Sequence, residues 1–277
     1  MTEADRAPRA CDQFALIVCE EITQHLQCGS QTIFNSPTTI NKAITMSLDL
    51  PSSSDFADNP EPRCPCVLLV DSSFSMSGEP IRKLNEGLRL FKEDVMTDEL
   101  ARNRVEVAIV TFGGTVSVEQ EYCVISDFQP PTIVANGNTP MGDAIAKGAE
   151  LIETRKAEYK ANGIGYFRPW VFLITDGEPT DLGWETKAEA ARAGDADNKF
   201  IFFGVAVEGA NMETLTEICP EHRPPVSLNG LSFGEMFKWL SKSLQQVSKS
   251  STPTAGADGA GGSVELAPIS GWGSVGT

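Results

Sequence analysis

The fold prediction for this chain rests on the stretch CVLLVDSSFSMSG, Cys66 to Gly78. Its first half is a continuous apolar run that ends at Asp71, which is typical of a central parallel strand buried on both faces. Its second half places Ser73 and Ser75 shortly after that aspartate. A strand that ends in a carboxylate and several hydroxyls is consistent with a helix cap, a phosphoryl-accepting nucleophile or a metal site.

Strand-like and helix-like segments alternate along most of the chain. Residues 79–95 carry an apolar helical stripe, residues 104–113 read as a second strand, and residues 115–125 are predicted to pair antiparallel with it through a glycine turn. The runs PWVFLITDG and KFIFFGVAV continue the alternation. We therefore predict an α/β fold, a doubly wound, Rossmann-like and mostly parallel sheet with one antiparallel edge strand and helices on both faces.

This alternation covers residues 62–248, which we predict to form one domain. Residues 1–61 lack sustained periodicity and are predicted to be an extension and linker, partly disordered, with Met46 as a candidate alternative start. Residues 249–277 are rich in Gly, Ala and Ser, which predicts a flexible tail. Trp272 is either a docking anchor or an ordinary residue of that tail.

The charge of the chain excludes two classes of partner. The sequence has 38 acidic and 22 basic residues, a net charge of -16. Nucleic acid and anionic membranes would be repelled, so neither is expected as a partner. The N-terminus lacks a basic-then-apolar signal pattern, and the seven cysteines form no CxxC pair, which predicts free thiols. We expect a cytoplasmic protein.

Three loops at the predicted ligand edge of the sheet carry hard oxygen atoms. The first holds Asp71, Ser73 and Ser75, the second holds Thr139, and the third holds Asp176. Ligands bind beyond the carboxyl ends of parallel strands, where these loops meet. Oxygen ligands without histidine or cysteine suit Mg²⁺, with Mn²⁺ and Ca²⁺ as alternatives.

The DSSFS element, together with Thr139 and the TDG around Asp176, resembles the motif set of von Willebrand factor A domains. The resemblance covers residues 62–248 and includes SGEPI, GNTPMGDAI, RPWVFLITDGEPTD and FFGVAVEGA in family order. It implies a metal-ion-dependent adhesion site, in which the serines and the threonine bind the metal directly or through water. The two aspartates then act through water or hydrogen bonds, and an open position takes a carboxylate from a partner protein.

The chain also resembles the bacterial cytoplasmic branch of this family that is associated with tellurium-resistance and stress-response gene clusters. This resemblance implies a non-enzymatic interaction module, with kinase- or phosphatase-like proteins among its candidate partners. One departure is Phe74, where many members have glycine. Its side chain is expected either to pack outward or to narrow access to the site.

Each residue also has a purely structural interpretation. Thr139 before Pro140 predicts a helix cap, and Asp143 is expected to be a surface acid in the first turn of that helix. Glu178 and Asp181 read as a solvated acidic loop, with tuning of the site through water as the alternative.

The main enzymatic alternative is a Mg²⁺-dependent, haloacid-dehalogenase-like phosphotransferase with Asp71 as nucleophile. Such enzymes need a second acid two residues later, and here that residue is Ser73, a poor proton donor at neutral pH. The sequence also lacks a G-x-S-x-G elbow and a phosphate-binding loop. We therefore predict that the protein is not an enzyme.

Overall fold

The computed structural model describes Phe56, residues 58–250, and the C-terminal residues 266, 268–269 and 271–275. The prediction of Met46 as a start and most of the predicted N-terminal extension therefore lie outside the described residues. At the end of the predicted linker, Phe56 is buried, and its ring centroid lies 5.9 Å from that of Tyr159. No described helix is long and apolar enough to span a bilayer.

A seven-stranded sheet forms the centre of the structure. Its spatial order is β3-β2-β1-β4-β5-β6-β7. The strands are β1 Cys64–Asp71, β2 Val105–Gly113, β3 Thr115–Val124, β4 Trp170–Thr175, β5 Ile201–Ala206, β6 Val226–Leu228 and β7 Gly273–Val275. Strand β1 pairs in parallel with both β2 and β4, and all eight of its residues are buried. The continuous apolar run before Asp71 is therefore the middle of the sheet, as predicted.

Helices cover both faces of this sheet. They are α1 Glu79–Met96, α2 Ala101–Arg104, α3 Met141–Ala161, α4 Trp184–Ala196, α5 Met212–Ile218 and α6 Phe233–Lys249. Successive β1 side chains point to opposite faces: Leu68 packs in an apolar cluster with α1 and α6, and Leu69 packs in another with α3, α4 and α5. The predicted doubly wound α/β fold is confirmed.

Both edges of the described sheet are antiparallel. The predicted pair of β2 and β3 is present, joined at Gly114 with φ 72°. The second edge was not predicted: β7 pairs with β6, and Trp272 beside it is 3% exposed, with its ring centroid 5.3 Å from that of Trp239. Residues 272–275 therefore differ from the predicted flexible tail, because burial of a large aromatic ring fixes this short segment despite its glycine-rich surroundings.

A buried ionic cluster lies at the amino end of β2, at the end of the strands opposite to Asp71. Glu106 is 1% exposed and accepts hydrogen bonds from Arg63 at 2.9 Å, from Arg155 at 2.8 and 2.9 Å, and from the Tyr159 hydroxyl at 2.5 Å. A carboxylate this deeply buried is stable only when it is paired in this way. The charged groups at this end of the strands are therefore paired with one another within the fold.

Candidate metal centre

Asp71 lies at the carboxyl end of β1 and is completely buried. Its Oδ1 accepts a hydrogen bond from the Ser73 amide at 2.8 Å, and its Oδ2 accepts one from the Thr175 hydroxyl at 2.5 Å. Burial raises the pKa of Asp71, and the charge of Asp176 raises it further, against the lowering effect of the hydrogen bonds. A cation beside this carboxyl group would favour its ionised form.

Hydrogen bonds connect the hydroxyls of the first loop to the third loop. Ser73 Oγ lies 2.9 Å from Ser75 Oγ, and the Ser75 hydroxyl donates to Asp176 Oδ1 at 2.7 Å. Burial also raises the pKa of Asp176, while its bond from Ser75 lowers it. Adjacent oxygens around an octahedral Mg²⁺ at about 2.1 Å are roughly 3 Å apart. The spacing and chemistry of these oxygens therefore fit a hard divalent cation.

Backbone hydrogen bonds join the loop that carries Thr139, the second loop, to the first loop. The Asn136 amide donates to the carbonyl of Ser72 at 2.6 Å, and the Phe74 amide donates to the carbonyl of Gly137 at 3.0 Å. Gly137 has φ 68°, and a Cβ there would lie 2.4 Å from the Cα of Gly114. Only glycine allows this close approach of the second loop to the β2–β3 turn.

Thr139 also reaches the space beside the third loop. Its hydroxyl and Asp71 Oδ2 lie 3.2 and 3.5 Å from the point that a Cβ on Gly177 would occupy. The Thr139 amide donates to the Thr180 hydroxyl at 3.1 Å, and the Thr180 amide donates back to the Thr139 carbonyl at 2.9 Å. The structure thus brings the five predicted residues, Asp71, Ser73, Ser75, Thr139 and Asp176, to one edge of the sheet.

The prediction that Thr139 caps α3 was wrong. The N-cap position is Pro140, and the first amides of the helix are instead bound by Asp181, which accepts from Gly142 at 3.1 Å and from Asp143 at 3.0 Å. A carboxylate supplied by the neighbouring loop satisfies these amides and complements the helix dipole. Thr139 itself is buried, and its backbone amide donates to the Thr180 hydroxyl.

Asp181 is therefore not the solvated loop residue that the sequence suggested. Its side chain is only 11% exposed and pairs with Lys187 at 2.9 Å. Lys187 also pairs with Asp143 at 2.5 Å, and Asp143 is an exposed first-turn acid as predicted. Glu178 is exposed, as expected, and accepts a hydrogen bond from Asn211 at 2.6 Å.

Two further features complete the centre. Thr175, the first residue of the TDG motif, was missed by the sequence reasoning, although the motif itself contains the signal. Phe74, which was expected either to pack outward or to narrow access to the site, has a side chain that is 65% exposed. Among the described residues, no group of three or more His, Cys, Asp or Glu side chains could hold a metal ion.

A doubly wound sheet with hydroxyl-bearing loops at its strand ends defines a Rossmann-like domain with a candidate cation site. The chain belongs to the von Willebrand factor type A domain family, whose sequence profile matches residues 66–235, more than half of its length. Domains of this family act as metal-dependent adhesion and protein-interaction modules. No curated protein sequence matches the chain significantly.

Solved structures share the fold at low sequence identity. The pilus adhesin SpaC from Lactobacillus rhamnosus GG, in an open conformation, is 12% identical with a TM-score of 0.53, over 66% of this chain and 30% of that one. A von Willebrand factor type A protein from Catenulispora acidiphila is 14% identical with a TM-score of 0.49, over 67% and 43%.

A third similar structure is proximal thread matrix protein 1 from the mussel byssus, with a zinc-occupied MIDAS motif. It is 19% identical with a TM-score of 0.44, over 66% of this chain and 48% of that one. This chain spans less than half the length of each of these three proteins. Likeness at these identities concerns the fold alone.

Proposed function

We propose that this protein is a non-enzymatic, metal-dependent interaction module that binds a carboxylate of a partner protein through a divalent cation. The cation is Mg²⁺, with Mn²⁺ or Ca²⁺ as substitutes. One observation carries the proposal: the continuous line of oxygens from Ser73 through Ser75 to Asp176, at 2.9 and 2.7 Å. Its chemistry is that of a hard-cation site without nitrogen or sulfur ligands.

Each residue then has a distinct role in the proposed site. Ser73, Ser75 and Thr139 supply neutral oxygens to the cation, and Asp71 and Asp176 act from behind them, through the hydrogen bonds that they accept from the first loop. When bound, the cation supplies a positive centre that attracts an Asp or Glu of the partner. Because three ligands are neutral, much of the positive charge remains for that carboxylate.

The net charge and the family resemblance support a proposal for the kind of partner and for the cellular setting. The net charge of -16 supports a protein partner rather than nucleic acid or an anionic membrane. Resemblance to the tellurium-resistance branch supports a cytoplasmic role in a bacterial tellurite or chemical stress response, with kinase- or phosphatase-like proteins as candidate partners.

The test is a binding measurement with a purified candidate partner in Mg²⁺ and in EDTA. We expect binding in Mg²⁺ only, and loss of binding in a Ser73→Ala, Ser75→Ala double variant. Ser77→Ala is the matched control, since Ser77 is exposed nearby and its backbone, not its hydroxyl, bonds Phe74. Equal binding in chelator would contradict the metal bridge.

The phosphotransferase alternative is disfavoured by the contacts of Asp71. Both of its carboxylate oxygens accept hydrogen bonds, and Ser73 occupies the position of the general acid. We expect no turnover of generic phosphoesters in Mg²⁺. Robust turnover that disappears in Asp71→Asn would instead establish the enzyme.

A further inference from the structure

Large apolar side chains are exposed on the loops that carry the candidate metal centre. Five large hydrophobic residues are exposed in the described chain, and three of them lie on the loops of this centre. They are Phe74 at 65%, Val134 at 74% and Leu182 at 97% exposure. The other two, Leu90 on α1 and Val275 on β7, lie on other elements.

Phe74 and Leu182 are carried by the first and third loops. Phe74 stands between Ser73 and Ser75, and its amide is bound to the Gly137 carbonyl at 3.0 Å. Leu182 follows Asp181, whose carboxylate is fixed on the first turn of α3. Hydrogen bonds to the second loop and to α3 therefore hold the backbone beside both side chains.

Val134 belongs to the segment that leads into the second loop. Its neighbour Ile133 is bound on both backbone groups by Asn85, each at 2.9 Å. Two residues after Val134, the Asn136 amide donates to the Ser72 carbonyl at 2.6 Å. With the chain anchored on both sides, the valine is held in water, where burial against a partner would be favourable.

We propose that Phe74, Val134 and Leu182 form an apolar rim around the metal centre, and that this rim selects the partner segment. The segment carries one Asp or Glu for the cation, flanked by large apolar side chains that pack on the rim. This inference rests on the proposed function and adds to it the class of segment that is bound.

Charge restricts the segment further. Asp71 and Asp176 lie within the centre, and Glu178 is exposed two residues beyond it. The bound cation attracts one carboxylate, whereas additional acids next to it meet this negative surface and are repelled. The segment therefore has a single acid, with apolar, neutral or basic neighbours.

Apolar exposure alone would also suit a lipid surface. The same acids, and the net charge of -16, oppose an anionic bilayer. A protein segment is the occupant that matches both the cation and the rim.

The test uses displayed peptides with a central Asp and randomised flanks, selected on the full chain in Mg²⁺ and eluted with EDTA. A matched library has a central Asn. We expect the Asp library alone to yield eluted peptides, enriched in Leu, Ile, Phe or Trp beside the Asp and depleted of further acids. For one such peptide, Phe74→Ser should weaken binding at least about tenfold, as truncation of a hot-spot residue does.

Controls separate this inference from the proposed function. The triple variant Phe74→Ser, Val134→Ser, Leu182→Ser should lose the apolar enrichment but keep EDTA-sensitive binding to Asp peptides, and Leu90→Ser should behave like the parent chain. The rim would be refuted, and the metal bridge kept, if the Asp peptides showed no apolar enrichment. The same conclusion would hold if the enrichment survived in the triple variant. Failure of EDTA to release Asp peptides would refute the proposed function. If the parent chain binds neutral vesicles without metal and the triple variant does not, the three apolar residues bind lipid and not a peptide.

Discussion

Thr175 donates its hydroxyl proton to Asp71 Oδ2 at 2.5 Å, and this bond joins the end of β4 to the end of β1 within the metal centre. Both side chains are completely buried. Thr175 Oγ1 also accepts from the Gly177 amide at 3.1 Å, so one hydroxyl fixes both Asp71 and the backbone of the third loop. Thr175 is a positioning residue for the centre.

Thr175→Val keeps the shape of this side chain and removes its hydroxyl. We expect a loss of about 1–3 kcal/mol in the free energy of unfolding, because Asp71 Oδ2 would be left buried without that partner. Urea unfolding in EDTA measures this loss, and Thr175→Ser, which keeps the hydroxyl, should recover most of it. Equal stability of the valine and serine variants would show that the hydrogen bond is dispensable.

Asp181→Ala removes the carboxylate that binds the first amides of α3. We expect about 1 kcal/mol of destabilisation near neutral pH, the usual cost of a lost helix cap. Glu178→Ala, an exposed acid in the same loop, is the matched control and should leave the unfolding midpoint within error. An equal effect of the two variants would contradict the capping role.

The contribution of Asp181 also depends on pH. Burial raises its pKa, but the hydrogen bond and charge of Lys187, with the Gly142 amide, outweigh burial and place the pKa below the usual 3.8. A carboxyl with a lowered folded-state pKa stabilises the protein above 3.8, and this stabilisation is lost as the pH falls through the lower value. The difference in stability between the parent chain and Asp181→Ala should therefore shrink below about pH 4.

Tyr159→Phe tests the ionic cluster at the opposite end of the strands. The Tyr159 hydroxyl donates to Glu106 at 2.5 Å, and loss of a hydrogen bond to a charged group typically costs about 1.5–3 kcal/mol. Tyr166→Phe is the control, since the Tyr166 ring packs on Tyr159 but its hydroxyl bonds no described residue. The stabilisation given by Mg²⁺ should be unchanged in both variants, and loss of that stabilisation in Tyr159→Phe would show that the two ends are coupled.

Trp272→Ala tests whether the C-terminal segment is part of the folded domain. Removing a buried tryptophan typically costs about 3–5 kcal/mol, and Trp272 is 3% exposed against Trp239. Val275→Ala, at an exposed position of β7, should cost much less. Unchanged thermal unfolding of Trp272→Ala would restore the flexible tail that composition predicts.

The parts of the structure that were predictable depend on short stretches of chain. β1 is recognisable because its apolar run is continuous, and Asp71, Ser73 and Ser75 are neighbours in sequence. Asp176 could be added since the carboxyl ends of parallel strands meet at one edge, and Thr139 could be added because its segment resembles the family motif. The sheet as a whole followed from the alternation of strand and helix patterns.

The features that were missed join residues far apart in sequence. Thr175 acts on Asp71 across 104 residues, and Asp181 caps α3 from 39 residues beyond Gly142. β7 is only three residues long within a glycine-rich segment, and its place depends on burial of Trp272 against α6. Neither local propensity nor periodicity reports such partners, because tertiary packing determines them.

The most direct test of the metal centre is a calorimetric titration of Mg²⁺ into the metal-free chain. We expect one Mg²⁺ to bind per chain, no binding in the Ser73→Ala, Ser75→Ala double variant, and unchanged binding in Ser77→Ala. Mn²⁺ and Ca²⁺ titrations then rank the cations. Absence of Mg²⁺ binding in the parent chain, or equal binding in the double variant, would contradict the hydroxyl-held cation on which the proposed function depends.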